Sequence, residues 1–249
     1  MKEVGVRFYG QLNDFLSPST EMRTLTWKFE VAGSVKDMIE SIGVPHTEVD
    51  LIVVNGEAVD FDHRLRDGER IAVYPAFRSL DISRLSWILR QPRRGSRFVA
   101  DTHLGRLAAY LRMLGFDTLY RNDYEDEELA TISAREDRVL LTRDAGLLMR
   151  AIVTWGYYVR ATDPARQVVE VLERFDLASS MRPFCRCMHC NAVLRITSKE
   201  AISDRLLPET KQHYEEFFIC PDCDRIYWKG SHYRRMQVLI ERITSRKDS

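Results

Sequence analysis

The stretch RVLLTRDAGL, residues 138–147, contains the pattern that decides the fold. Val139, Leu140 and Leu141 form an apolar run that predicts a short buried strand, and residues 145–156 (AGLLMRAIVTWG) predict a helix directly after it. Asp144 stands between the two, at the carboxyl end of the strand. An aspartate at this position either caps the helix or joins other carboxylates around a metal ion.

The same order of strand and helix repeats on both sides of this stretch. Predicted strands are FVA (98–100), FDTLYR (116–121) and YYVRAT (157–162), and predicted helices are HLGRLAAYLRMLG (103–115), EDEELATISARED (125–137) and PARQVVEVLERF (164–175). Together with residues 138–156 they give four β-α units with short connections. Such units predict an α/β domain with a doubly wound parallel sheet.

Acidic residues follow the strands of this predicted sheet. Asp101, Asp144 and Asp163 each end a strand, and Asp126 belongs to an acidic cluster at residues 123–128 that begins a helix. Because the carboxyl ends of parallel strands meet at one edge of a sheet, these carboxylates are expected to converge. Crowded carboxylates repel each other, and bound Mg²⁺ or Mn²⁺ relieves the repulsion and can activate water against a phosphodiester. Which acid of the 123–128 cluster faces the metal stays open.

Helix capping is the alternative for each of these acids taken alone. Aspartate is a favoured N-cap, and Asp163, which precedes Pro164, is the most cap-like. Four acidic elements that converge on one edge are less easily explained by capping, so we interpret Asp144 as a metal ligand first and a cap second. Arg106 and Arg143, near the same edge, either hold phosphate or form surface salt bridges.

The five cysteines all lie between residues 185 and 223. Cys187 with Cys190, and Cys220 with Cys223, form two C-x-x-C pairs with 29 residues between them. Two such pairs predict a tetrahedral, structural Zn²⁺ site, with rubredoxin-like iron as the alternative. A helical insert is expected around PETKQHYEEF (208–217), and Cys185 is left over.

Nucleic-acid contacts must come from local patches, because the formal net charge is zero. Arg93 and Arg94 belong to an arginine-rich stretch, and Lys229, Arg234 and Arg235 follow the second cysteine pair among aromatic residues. Aromatic rings for base stacking beside cations for phosphates suit single-stranded RNA. A solvated linker and a solvated helix face are the alternative for these patches.

The first 78 residues predict a separate unit with the element order β-β-α-β-β. Ser34 and Asp37 have the spacing of a capping box, Gly43 ends the helix, and Asn55-Gly56 is typical of a hairpin turn. We therefore expect a ubiquitin-like β-grasp domain at 1–78, a linker at 79–96, an α/β domain at 97–180 and a cysteine-bearing region at 181–249.

The N-terminal unit resembles the sulfur-carrier proteins of molybdopterin and thiamine synthesis, within the ubiquitin-like superfamily. Those carriers act through a free C-terminal Gly-Gly. Here the equivalent strand reads YPAFRSLD (74–81) and the chain continues, so the chemistry of a carrier is excluded. What remains is a docking or scaffold module, with a possible protein partner.

The α/β region resembles the Mut-seven C-terminal RNase family, through residues 98–120, the segment DEEL (126–129), RVLLTRD (138–144) and the two cysteine pairs. That family is a branch of the PIN-like nucleases in which a zinc ribbon follows the nuclease fold, and a ubiquitin-like unit accompanies it in bacterial members. The resemblance covers residues 97 to about 235. It implies that Asp101 and Asp144 bind Mg²⁺ or Mn²⁺, with Asp126 as the third ligand and Asp163 as the fourth.

The sequence therefore predicts a metal-dependent ribonuclease that hydrolyses RNA phosphodiester bonds, with a zinc ribbon that aids RNA binding. The alternative is a non-catalytic RNA-, tRNA- or ribosome-binding factor with the same PIN-like fold. No apolar run is long enough to cross a bilayer, and the N-terminus MKEVGVRFYG lacks the apolar segment of a secretory signal. We expect a cytoplasmic protein.

Overall fold

A computed structural model describes residues 1–75, 97–231, 233, 234, 237 and 238 of the chain. Its contacts divide the described residues into two compact units. The first combines the described part of Met1–Arg94 with Glu125–Tyr158, and the second combines the described part of Gly95–Tyr124 with that of Val159–Ser249. The first unit thus joins the N-terminal β-grasp region to a segment of the α/β region.

The N-terminal region is a five-stranded sheet with one helix, which is one strand more than the predicted β-β-α-β-β order because residues 51–59 form a hairpin of two strands. Its elements are β1 (Lys2–Phe8), β2 (Thr24–Phe29), α1 (Val35–Ile42), β3 (Leu51–Val54), β4 (Glu57–Val59) and β5 (Arg70–Tyr74). The strand order is β2-β1-β5-β3-β4, with β1 and β5 parallel and the other neighbours antiparallel. Alternation in β1 turns Val4, Val6 and Phe8 toward a core shared with α1.

Local sequence signals determine the ends of these elements. The Ser34 side chain accepts a hydrogen bond from the Asp37 N–H, and the Asp37 carboxylate accepts one from the Ser34 N–H, so the predicted capping box is present. Gly43 ends α1 in the left-handed conformation at φ 108°. Asn55 and Gly56 also have positive φ, which the tight turn between β3 and β4 requires.

The α/β region alternates strands and helices in the predicted order. Its elements are β6 (Arg97–Ala100), α2 (Gly105–Met113), β7 (Asp117–Leu119), α3 (Asp126–Glu136), β8 (Val139–Thr142), α4 (Ala145–Leu148), β9 (Gly156–Tyr158) and α5 (Pro164–Arg174). Strands β6 and β7 pair in parallel, as do β8 and β9. All four residues of β8 are buried, as is typical of a parallel strand covered on both faces. The predicted α/β class is confirmed.

The helix predicted at residues 145–156 is much shorter than expected. Helix α4 ends at Leu148, and a turn follows in which the Val153 N–H donates to the Arg150 carbonyl oxygen. Val153 is buried, and its own carbonyl oxygen accepts from His46, which is far away in the sequence. This long-range contact, which apolar periodicity does not reveal, holds the turn in place of a longer helix.

The C-terminal region contains a small antiparallel sheet. Its strands are β10 (Arg195–Thr197), β11 (Phe217–Ile219) and β12 (Ile226–Trp228), in the order β10-β11-β12. Helix α6 (Pro208–His213) lies between β10 and β11, where the helical insert was predicted. Within the described ranges, no helix is both long and apolar enough to span a membrane.

Candidate functional site

Four cysteines from the two C-x-x-C pairs meet in the C-terminal region. The sulfur atoms of Cys187, Cys190, Cys220 and Cys223 all lie within 4.8 Å of one another. The Cys187 and Cys223 sulfurs are 3.5 Å apart, and those of Cys190 and Cys220 are 3.3 Å apart. The structure thus brings together the four cysteines that the sequence predicts as ligands. The fifth, Cys185, is exposed and lies outside the cluster.

Both pairs form the same backbone turn. The N–H of Asn191 donates to the Cys187 carbonyl oxygen, and the N–H of Asp224 donates in the same way to that of Cys220. Asn191 and Asp224 both have positive φ, at 73° and 58°, a conformation that these two residue types tolerate. In each turn the N–H of the second cysteine also lies 3.5 Å from the sulfur of the first. Such N–H groups stabilise a thiolate.

The surroundings of the sulfurs favour one thiolate in particular. Burial opposes ionisation of Cys187, but hydrogen bonds from Tyr227 and from the N–H groups of Cys190 and His189 outweigh it and lower the pKa to about 6. Burial raises the pKa of Cys190 to about 12 and also raises the pKa of Cys223. A bound cation would displace the protons that these crowded thiols retain.

The arrangement could hold a metal ion such as zinc. Four thiolate donors close enough to share one ion form the donor set of closed structural zinc sites, which leave no position for substrate. The Tyr227 hydroxyl lies 3.0 Å from the Cys187 sulfur and would orient that ligand from outside the donor set.

Arg112 anchors the first cysteine pair to helix α2, a role that the sequence interpretation missed. Its side chain is buried and donates to the carbonyl oxygens of Thr118, Met188 and His189 at 2.8, 3.1 and 2.6 Å. Burial lowers the pKa of Arg112, whereas the negative charge of Cys187 and Cys190, when they are thiolates, favours its charged form. An arginine beside the buried face of an apolar helix was the signal available in the sequence.

Asn191 makes a second connection between the cysteine turn and strand β7. Its Oδ1 accepts from the Thr118 N–H at 3.1 Å, and its Nδ2 donates to Asp117 Oδ1 at 2.7 Å. Asn191 is itself buried. Together with Arg112, it fixes the cysteine-bearing region to the β6–α2–β7 segment, which belongs to the same compact unit.

Two of the four predicted acids, Asp101 and Asp163, belong to the second compact unit. Asp101 directly follows β6, is buried, and makes no capping hydrogen bond; its Oδ1 accepts from the Thr102 hydroxyl at 3.1 Å. Asp163 is the N-cap of α5, because its Oδ1 accepts from the Arg166 N–H at 3.0 Å. The capping alternative therefore describes Asp163 but not Asp101.

The other two acids, Asp126 and Asp144, belong to the first unit. Asp144 caps α4, with Oδ1 accepting from the N–H groups of Gly146 and Leu147 at 2.7 and 3.3 Å. Asp126 is the first residue of α3, and its carboxylate lies 3.9 Å from the Arg150 guanidinium. Both acids are exposed.

The predicted RNA-binding cations lie in different environments. Arg106 and Arg234 are exposed and Arg143 is half-buried. Lys229 pairs with Glu216 at 2.6 Å, and this hydrogen bond raises the lysine's pKa. Arg93, Arg94 and Arg235 lie outside the described residues.

Comparison with models of known families identifies the family to which the chain belongs. The family model described as the Mut7-C RNAse domain matches residues 96–240, more than half of the chain. The chain belongs to the Mut7-C RNase domain family. A second model, Mut7-C ubiquitin, matches residues 1–81, so the ubiquitin-like domain stands in front of the Mut7-C domain as predicted. Membership in the Mut7-C family supports a nuclease-like role in general.

The N-terminal domain is also similar to a solved structure. A protein from Pyrococcus furiosus described as a molybdopterin converting factor, subunit 1, shares 23% identity over 31% of this chain and 100% of that chain, with a TM-score of 0.25. No curated protein matches the Mut7-C chain.

Proposed function

We propose that this protein is a metal-dependent ribonuclease. The observation that carries the proposal is the match of residues 96–240 to the Mut7-C RNase domain. We assign the metal-binding role to Asp101, Asp126, Asp144 and Asp163, each of which lies after a strand or at the first turn of a helix in that domain. The proposal requires these carboxylates to share Mg²⁺ or Mn²⁺.

The environment of Asp101 gives the acid assignment its best support. Asp101 is buried directly after β6, at the carboxyl end of a parallel strand, and it does not have the capping role that accounts for Asp163. Asp144 caps α4 through Oδ1 alone, so a cation could be bound through Oδ2 without loss of the cap. Capping and metal binding are thus compatible in this residue.

Bound Mg²⁺ or Mn²⁺ would supply an activated water and charge stabilisation at the scissile phosphodiester. The chain's own contribution is to hold the carboxylates on fixed elements. The buried position of Asp101 restricts its motion, and the capping bonds of Asp144 and Asp163 fix the orientation of their side chains.

We assign Zn²⁺ to the four-cysteine cluster, with a structural role. The ribbon would then present Lys229, Arg234 and nearby aromatic rings to RNA, although Lys229 must exchange its Glu216 partner for a phosphate. Because that pair is solvent-exposed, we expect the exchange to cost little.

The test is RNA cleavage by the full chain with Mn²⁺ or Mg²⁺, on single-stranded and structured substrates. We expect Asp101→Asn and Asp144→Asn to reduce the cleavage rate by at least about 100-fold, because several kcal/mol of charge stabilisation would be lost. Asp137→Asn is the matched control: Asp137 follows α3 at the end opposite Asp126, in a left-handed conformation that asparagine also adopts.

Equal cleavage by the wild type and both acid variants would refute the assigned site. If the wild type binds RNA but cleaves none of these substrates with either metal, the non-catalytic RNA-binding factor is the correct function. Loss of cleavage in Asp137→Asn as well would show that the variants act through folding, which refutes the specific role of the acids.

A further inference from the structure

The ubiquitin-like domain contacts the α/β region through the short 3-10 helix His46–Glu48. His46 Nε2 lies 2.9 Å from the Val153 carbonyl oxygen, and Glu48 Oε1 accepts from the Tyr158 N–H at 2.7 Å. Because a carbonyl oxygen only accepts, His46 Nε2 is the donor in the first contact. Both contacts join residues more than 100 positions apart, and all four residues belong to the first compact unit.

The His46 ring is held in the orientation that this contact needs. Its Nδ1 lies 2.6 Å from Glu40 Oε1, on helix α1, so both ring nitrogens have a partner within the same unit. His46 as a residue is 8% exposed, and its ring meets Phe61 edge-on at a centroid distance of 6.0 Å. Because the imidazole is buried and both of its nitrogens have partners, its orientation is fixed, unlike that of an exposed side chain.

Side-chain packing beside these hydrogen bonds is also close. Phe15 meets the Tyr158 ring edge-on at 5.1 Å. A Cβ built on Gly156 would lie 3.3 Å from the Thr47 hydroxyl oxygen and would overlap the Leu148 side chain. The absence of a side chain at Gly156 therefore allows the 3-10 helix to approach β9.

Among the strands of the described residues, the strand that receives these contacts is at the end of its sheet. Strand β9 pairs with β8 on one side, and the Tyr158 N–H meets Glu48 instead of another strand. An uncovered strand edge is a template for pairing with other chains, and proteins commonly cover it. Glu48 supplies the acceptor that a neighbouring strand would otherwise provide.

We propose that the ubiquitin-like domain is a fixed intramolecular cap on strand β9, with residues 46–48 as its docking surface. The partner of this surface is the protein's own segment 148–158. A protein partner of the ubiquitin-like domain must therefore bind elsewhere on it. The inference does not depend on ribonuclease activity, because it concerns only how β9 is covered.

Hydrogen–deuterium exchange of the full chain tests the cap. Glu48→Ala removes the Glu48 acceptor of the Tyr158 N–H, and His46→Ala removes the donor that His46 provides to the turn at Val153. We therefore expect each substitution to speed hydrogen exchange of a peptide covering residues 153–158 by at least about tenfold. Glu48→Gln keeps an acceptor oxygen and should restore most of the protection. A peptide covering β1, Lys2–Phe8, should exchange as in the wild type, because the domain itself stays folded.

The matched control is His63→Ala. His63 pairs with Glu69 at 3.1 Å within the ubiquitin-like domain, so its loss should leave the 153–158 peptide unchanged. Unchanged exchange of that peptide in both Glu48→Ala and His46→Ala would overturn the proposal, as would equal exchange in Glu48→Gln and Glu48→Ala. If β1 loses protection in His46→Ala, the comparison of the two Glu48 variants decides the outcome.

Discussion

At the scale of single residues, Arg112 shows how a buried charge can tie two regions together. Its guanidinium donates to carbonyl oxygens on both sides of the contact, one at Thr118 after helix α2 and two in the turn that bears the first cysteine pair. A buried arginine is costly to desolvate, and these hydrogen bonds offset the cost. Once Arg112 is removed, the buried carbonyl oxygen of Thr118 and the part-buried ones of Met188 and His189 lose this donor.

We predict that Arg112→Met lowers the free energy of unfolding by about 3 kcal/mol, because one buried and two part-buried carbonyl oxygens lose their donor. Arg106→Met, at an exposed position on the same helix, should change it by less than about 0.5 kcal/mol. Urea denaturation of the two variants gives both values. A similar small effect at both positions would mean that Arg112 contributes no net stability.

At the scale of secondary-structure elements, the capping box of α1 makes the stability of the ubiquitin-like domain depend on pH. Hydrogen bonds from the Ser34 hydroxyl and N–H lower the pKa of Asp37 below its ordinary value of 3.8. A carboxyl group whose pKa is lower in the folded protein stabilises it above the unfolded pKa, and the stabilisation is lost as the pH falls through the folded pKa.

We therefore predict that Asp37→Asn destabilises the protein at pH 7, and that the difference from wild type shrinks progressively below about pH 4. Ser34→Ala should cost about 1 kcal/mol at pH 7, the usual effect of losing an N-cap. Thermal unfolding across this pH range checks both. Asp62→Asn, an exposed substitution in the same domain, is the control; a pH-independent effect of Asp37→Asn would contradict the assigned cause.

Elements set by neighbouring residues could be predicted from the sequence. The Ser34 capping box, the Asn55-Gly56 turn and the two cysteine pairs all depend on spacings of a few residues. The end of α4 at Leu148 and the anchoring role of Arg112 could not, because both depend on contacts between distant parts of the chain. Capping of Asp144 was foreseen as an alternative, whereas its metal-binding role stays a prediction.

At the scale of the whole molecule, the cysteine cluster is connected to the α/β region and not only to its own sheet. Arg112 and Asn191 join its first turn to α2 and β7. A metal ion that fixes the four sulfurs would therefore stabilise these two elements as well. If Zn²⁺ is the ion, its binding free energy contributes to folding of the second compact unit, beyond the ribbon alone.

We predict about one tightly bound Zn²⁺ per chain, absent from Cys187→Ser and retained in Cys185→Ser, whose cysteine lies outside the cluster. Metal analysis of the purified variants measures this directly.

Removal of the metal by a chelator should lower the melting temperature by on the order of 10 °C. It should also speed hydrogen exchange in both β7 and β11, because Asn191 links the cysteine turn to β7 through the Thr118 N–H. Faster exchange in β11 with an unchanged β7 would show that the ribbon loses its order independently, and zinc would then have no structural influence on the α/β region.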